Sequence, residues 1–510
     1  MKFLTAGLMH VTTGLETARF ARRLSDPAAG VRHQEKVLRQ LITGLAKTRY
    51  GIEHGVEAGM DDQSFRRNVP LATAQSIQPY VDAVIGGAPD ELWPGRCRHF
   101  VRTNGGTAGP PRQLPLNDSI LEHYHEAAYQ IALMHTAGTG HAGVFHGRHV
   151  YLAETASLRT GQADLPGILT ETMPRWTEKF LFVPGQETAS IVDRDARIQK
   201  TAEEALSQDI TLLAGSPRTL IRFTEAVLAQ TAAAGRPIRT LTDAWPNLEC
   251  VIHGGHSVIP YLEALTQRIG RRVVMSEVFA TTEAFVAVQD GKPDGALRLL
   301  DDTGVYFEFL PLHAKPEDQK QALPVSAIRA EVDYELVVTT PAGLCRYRTD
   351  EIVRFVSAKP PRLIYRGRRS PALQLGNTLL MDRDLNDIMA KICRRHNWVP
   401  EGFHVNPLHT ESGDCHEWWV ELKPPCRETP ISKIIEEELD DGLRTTCHAY
   451  LEQRESGALH PPIVRLITPG VFELCRKEIG RQNGEHSFPV ARSDRQVAEQ
   501  LMQYAGVQAD

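Results

Sequence analysis

The chain has 510 residues, 42% of them hydrophobic and 24% charged, which excludes a disordered, collagenous or fibrous protein. Its formal charge of -6, from 57 Lys and Arg against 63 Asp and Glu, leaves no cation excess to displace counterions, so nucleic acid is not an expected partner. No stretch approaches the roughly 18 to 20 apolar residues of a membrane-spanning helix, and no membrane association is expected.

In chain order, Leu15, Phe20, Leu24, Val37, Leu38, Leu41, Ile42 and Leu45 recur at mostly three- and four-residue spacing, so residues 15–55 are predicted to form an amphipathic helical cap. Prolines and glycines between Val69 and Arg102 break the pattern into short pieces. Asn117 or Asp118 can cap a helix, and Ile120, Leu121, Tyr124, Ala128, Ile131 and Met134 extend it to about residue 135. The run Val273–Met275 and the alternation of Val332, Tyr334, Leu336 and Val338 predict strands. The basic segment Ile364–Pro371 separates two regular stretches and marks a domain boundary. Beyond it, 384–395 and 431–455 read as helices and Glu417–Leu422 as a strand. The expected architecture is therefore α/β: a large N-terminal domain of mixed sheets and helices over 1–366, a hinge at 367–370, and a smaller α+β domain over 371–510. Eight cysteines with no C-x-x-C read as reduced thiols, and the N-terminus, interrupted by Thr, His and Glu, does not read as a secretory signal. A cytoplasmic protein is expected.

Three segments can carry chemistry. Thr103-Asn104-Gly105-Gly106-Thr107-Ala108-Gly109-Pro110-Pro111-Arg112 combines glycines that let backbone amides approach an anion, hydroxyl donors and a closing cation, which suits a polyphosphate, although no Gly-Lys-[Ser/Thr] makes it a Walker sequence. In isolation it reads more readily as an ordinary turn before the helix, since Gly-rich runs are common turn material. Phe279-Ala280-Thr281-Thr282-Glu283 follows the strand at 273–275, and a carboxylate at a strand end can hold a hard cation such as Mg2+. Tyr334–Thr340 and Ala342–Arg348 form a strand, a turn and a second strand dense in Tyr and Arg.

Taken together, these segments resemble the adenylate-forming superfamily. More narrowly, the chain resembles the acyl-acid amido synthetases of the Gretchen Hagen (auxin-responsive promoter) family, with further support from Gln34–Val37, Thr48–Gly51, Phe65–Pro70, Pro79-Tyr80, Gly304–Phe309 and Tyr334–Arg348. The resemblance implies two steps: ATP and a carboxylic acid give an acyl adenylate, and an amine or amino acid then displaces AMP to leave an amide. It implies ATP and Mg2+ as cofactors, with Thr103, Asn104, Gly105, Gly106, Thr107 and Arg112 on the phosphates. It also implies Phe279 against the adenine, Thr282 near the α-phosphate, Glu283 on Mg2+, and Arg348, Asp350 and Glu351 on the ribose and hinge side. Thr107, Thr282, Glu283 and Arg348 are its catalytic candidates. Transfer to a thiol, or a homologue that binds nucleotide without turnover, are the alternatives. The acid, the amine and the oligomeric state are not legible in the sequence.

The chain departs from the family pattern at three places. Where the family has Gly-Asp after Tyr-Arg and one further residue, this chain has Asp350-Glu351, and Ile352–Phe355 keeps the register so that Glu351 takes the Asp position. Loss of the glycine removes a residue that tolerates positive φ, so an altered turn is expected. Near the C-terminus, Ser487 and Val490 stand at the family's Lys and Arg positions. Asn104 and Gly105 replace hydroxyl residues in the phosphate loop. His253 and His256 lack a nearby carboxylate or Cys, short of the three or four ligands of a metal site, and His123 and His125 read as packing or solvent contacts.

Overall fold

The computed structural model describes residues 2–102, 113–153, 165–172, 181–255, 257–270, 273–292, 294–312, 322–369, 373–410, 413–424, 432–475 and 489–506. They fall into two compact units: the larger runs to Thr349 and includes Val353–Ile364, while the smaller takes Asp350–Ile352 and the chain from Tyr365 onward.

Five helices open the larger unit: α1 (Lys2–Ser25), α2 (Ala29–Leu45), α3 (Arg49–Glu53), α4 (Asp62–Asn68) and α5 (Ala74–Ile85). The expected cap over 15–55 is thus three helices, the third started by Thr48, whose hydroxyl accepts the Gly51 N–H at 3.0 Å. Gly51 has no alternative, because a Cβ there would lie 1.9 Å from the Leu45 carbonyl oxygen. After β1 (His99–Arg102) and β2 (Gln113–Leu116) comes α6 (Asp118–Thr139), capped by Asn117, whose side chain accepts the Ile120 N–H at 2.9 Å, and ended at Gly140 in the left-handed region.

The remaining strands of the unit are β3 (Arg148–Leu152), β4 (Phe182–Val183), β5 (Ile210–Gly215), β6 (Cys250–Gly254), β7 (Val274–Ala280), β8 (Phe285–Gln289), β9 (Leu297–Leu299), β10 (Tyr306–Pro311), β11 (Leu323–Pro324), β12 (Asp333–Thr339), β13 (Tyr347–Ala358) and β14 (Pro361–Arg368). Among the described residues they form one sheet in the order β11-β10-β12-β13-β14-β9-β8-β7-β6-β5-β3-β4. β4, β3, β5, β6 and β7 are parallel, and the sheet turns antiparallel at β8. β5 is buried along its whole length, as its uninterrupted ITLLAG requires, and it packs with Leu220, Phe223, Trp245 and Leu248 in one core. β7 is longer than the predicted strand and carries Phe279 within it, so Glu283 stands in the β7–β8 turn.

The segment Ile364–Arg368, expected as a boundary, is the regular end of β14, and the two compact units divide within it, between Ile364 and Tyr365. Its arginines look like a linker in sequence, but Arg366 and Arg368 are held by Asp384 and Glu351. The smaller unit is built on β17 (Pro400–Thr410), β18 (Gly413–Leu422) and β19 (Ile463–Ile467), preceded by the hairpin of β15 (Leu373–Leu375) and β16 (Thr378–Leu380). Strand alternation sends Trp418 and Trp419 to opposite faces, Trp418 into a core with Leu385, Ile388 and Leu439, and Trp419 against Phe472 and Leu501. The single helix expected over 431–455 is two, Ser432–Thr446 and His448–Glu455, because Cys447 adopts an extended conformation between them.

Asp440 ties these two helices together. Burial raises its pKa, but hydrogen bonds from Arg454, Tyr450 and Arg444 outweigh that and hold it at about 2. A carboxyl whose folded pKa lies below its unfolded value stabilises above the unfolded pKa, near 4, and loses that contribution as pH falls towards 2. Asp440→Asn is therefore expected to lower the melting temperature at pH 7 and to approach wild type as pH falls from 4 to 2. A pH-independent difference in thermal scans would refute this.

No helix among the described residues is long and apolar enough to cross a membrane. The described cysteines are all free thiols, consistent with the sequence reading.

Candidate functional site

The larger unit presents the Phe279–Glu283 motif as a strand end and a tight turn. Phe279 is buried in β7 opposite Ala287, and the register shifts between Phe279 and Ala280, which still pairs with Phe285 as the last residue of the strand. Thr281 closes the turn: its N–H donates to the Ala284 carbonyl at 2.9 Å, and its hydroxyl accepts the N–H groups of Glu283 and Ala284 at 3.2 Å each. Thr282 and Glu283 stand at the tip, half-buried. From α6, the Tyr124 hydroxyl donates to the Thr282 carbonyl at 2.6 Å, and His123 Nε2 accepts the Phe285 N–H at 3.0 Å. The expected role of His123 as packing or solvent contact is thus incomplete: it is a buried hydrogen-bonding link to this turn. Its partners stand 162 and 180 residues away, and the sequence carries no signal for them.

Arg346 and Arg348 lie on either side of Tyr347 and do different things. Arg346 is fully buried, forms a bidentate pair with Glu308 at 2.8 and 3.0 Å, and donates to the carbonyls of Arg66 and Val69. It therefore joins three of the scattered family-like segments, Phe65–Pro70, Gly304–Phe309 and Tyr334–Arg348. Arg348 pairs through both nitrogens with Glu335, at 2.8 and 2.6 Å, and its N–H donates to the Ala72 carbonyl. Gln34, in another such segment, donates to the Asp301 and Val305 carbonyls and accepts the Phe307 N–H, fixing α2 to the start of β10.

In the smaller unit, Asp350 has φ +63, so the backbone keeps the left-handed conformation expected of a glycine. Glu351, next to it, is buried and accepts the Tyr365 hydroxyl at 2.7 Å on one oxygen and Arg368 at 2.9 Å on the other. Asp382 also feels this group: burial, then the opposing pull of Arg368, then the Glu351 charge set its pKa at about 6.

Thr103, Asn104, Gly105, Gly106, Thr107 and Arg112 lie outside the described residues, as do His256 and Ser487. No group of three or more His, Cys, Asp or Glu stands together as a metal site among the described residues. The Glu283 carboxylate at the tip of the turn is the kind of hard oxygen ligand that Mg2+ takes, one or two at a time beside water and substrate phosphates.

Solved structures share this fold. An AtGH3.15 acyl acid amido synthetase in complex with 2,4-DB superposes with a TM-score of 0.75 at 16% identity, covering 96% of this chain and 95% of that one. A 2-hydroxyisobutyryl-CoA ligase superposes with a TM-score of 0.60 at 12% identity over 95% and 92%. The chain belongs to the GH3 family: the models of the family's N-terminal, central and C-terminal domains match residues 28–173, 298–368 and 383–487. Among curated relatives, the 4-substituted benzoates-glutamate ligase GH3.12 of Arabidopsis thaliana is 21% identical over 92% of this chain and 94% of its own. The indole-3-acetic acid-amido synthetase GH3.3 of the same plant is 20% identical over 96% and 93%.

Proposed function

We propose that the protein is an ATP-dependent, AMP-forming ligase that adenylates a small-molecule carboxylic acid and passes the acyl group to an amine or amino acid. Membership of the family across all three of its domains is the observation that carries the reading. In the first step a carboxylate oxygen attacks the α-phosphorus of ATP and the bond to pyrophosphate breaks. In the second an amine nitrogen attacks the acyl carbon, the bond to AMP breaks, and the nitrogen loses a proton. A carboxylate is a poor electrophile, and the first step exists to give it a leaving group.

In this reading Thr103, Asn104, Gly105, Gly106, Thr107 and Arg112 bind the β- and γ-phosphates. Phe279 lies against the adenine, Thr282 donates to the α-phosphate and Glu283 holds Mg2+. The bound ion supplies charge neutralisation on the phosphates. Glu351 binds the ribose hydroxyls, with Tyr365 and Arg368 holding its carboxylate in place. Asp350, left-handed within β13, precedes it in the chain. Arg348 steadies the start of β13 through Glu335. Gly367, at φ +138, is the pivot about which the smaller domain turns between the two steps. Use of ATP and the free thiols support a cytoplasmic setting.

Pyrophosphate release by the purified protein with Mg2+ and ATP, over a panel of aryl, indolyl and aliphatic acids, tests the first step. Mass analysis of products with amino acids and with coenzyme A identifies the acceptor. An amide is expected. A thioester alone would redirect the second step to a thiol, and no pyrophosphate with any acid while ATP binds would make the protein a nucleotide-binding homologue without turnover.

A further inference from the structure

The contacts that α6 makes with the β7–β8 turn are to backbone atoms. A carbonyl can only accept and an N–H can only donate, so the partners of His123 fix its chemistry: Nδ1–H donates to the Thr303 carbonyl at 2.7 Å and Nε2 accepts the Phe285 N–H at 3.0 Å. The ring is therefore neutral and of one tautomer. Burial agrees, lowering its pKa to about 4, and a second proton would face the Phe285 N–H directly. Next to it, burial and the nearby Glu283 charge push the Tyr124 hydroxyl far above its ordinary pKa, so it stays a donor to the Thr282 carbonyl. Thr281 makes the turn a closed unit from within, and His123 and Tyr124 hold that unit at its tip and at its exit into β8. The far side of His123 is anchored too, since Gln130 of α6 donates to the Asp302 carbonyl beside Thr303, at 3.3 Å.

We infer that His123 and Tyr124 are positioning residues that set where the Thr282 hydroxyl and the Glu283 carboxylate stand, through the Phe285 N–H and the Thr282 carbonyl. The inference rests on the proposed role of Glu283 toward Mg2+. Two helix neighbours that both bond to the same turn restrict it more than either alone, and geometry at a metal or phosphate is sensitive to shifts of an ångström. A purely structural pair would only satisfy buried polar atoms, and its loss would lower stability without touching nucleotide affinity.

The two roles separate in calorimetric titration of the full chain with ATP, once with Mg2+ and once with EDTA, beside thermal melting. Tyr124→Phe keeps the ring and removes one donor, and is expected to weaken ATP binding about tenfold with Mg2+ and less than about twofold with EDTA. His123→Gln retains a carbonyl acceptor for the Phe285 N–H and is expected to bind more tightly with Mg2+ than His123→Leu. Glu283→Gln is measured alongside. If it weakens Mg2+-dependent binding while Tyr124→Phe and His123→Gln match wild type and merely melt earlier, the inference fails alone. If Glu283→Gln also matches wild type, the reading of the turn fails and takes the inference with it.

Discussion

Glu283→Gln is expected to reduce pyrophosphate release by about 10²- to 10³-fold, the usual cost of one preorganised charge-stabilising group at a phosphoryl centre. Glutamine keeps the volume, and the Thr281 hydroxyl and backbone bonds that close the turn do not need the Glu283 charge. What it removes is the negative charge that a hard cation needs. The loss should therefore respond to metal concentration: raising Mg2+ well above the wild-type optimum should recover part of the rate, whereas raising the acid should not. Thr282→Val, which removes a donor and not a charge, should lower the rate without changing the Mg2+ dependence. Steady-state pyrophosphate assays at several Mg2+ concentrations distinguish these patterns, and turnover of Glu283→Gln within threefold of wild type would sink the assignment.

The parts of this fold legible in sequence are those whose signals are local. α6 declares itself because Asn117 can cap it and its apolar residues keep the helical period, and β12 because it alternates. The motif of Phe279 to Glu283 was legible as a motif, but its setting was not, because the strand before it is longer than its apolar run. At Ile364–Arg368 the boundary was legible and the strand was not, because arginines that pair with carboxylates within the smaller unit are indistinguishable, in one dimension, from solvated ones. The break at Cys447 has neither glycine nor proline to announce it. Asp350 shows another case, in which a residue other than glycine takes φ +63 inside β13. Asp tolerates the left-handed region better than most residues, since its short side chain can bond locally. Arg346 was hidden for another reason. Its guanidinium bonds to Glu308, Arg66 and Val69, partners 38 to 280 residues away.

Those partners make Arg346 the residue whose loss should cost the fold most. Both it and Glu308 are only 1% exposed, and removing one member of a buried pair leaves the other charged and unsolvated, at a cost of about 3–5 kcal/mol. Arg346→Met should therefore unfold the larger unit or bring it close to unfolding, since whole domains are stable by only about 5–15 kcal/mol. The double variant Glu308→Leu with Arg346→Met removes both charges, and an isolated buried pair replaced in this way is often neutral. Here full recovery is not expected, because the guanidinium also satisfies the carbonyls of Arg66 and Val69, and each buried acceptor left unpaired costs about 1–3 kcal/mol. The order of stability should run from wild type through the double variant to Arg346→Met. Since the smaller unit carries its own core, hydrogen exchange over 306–311 and 333–339 reports the larger unit more cleanly than whole-chain fluorescence. A double variant as protected as wild type in those strands would show that the carbonyl bonds contribute little, and that Arg346 matters only as the counter-ion of Glu308.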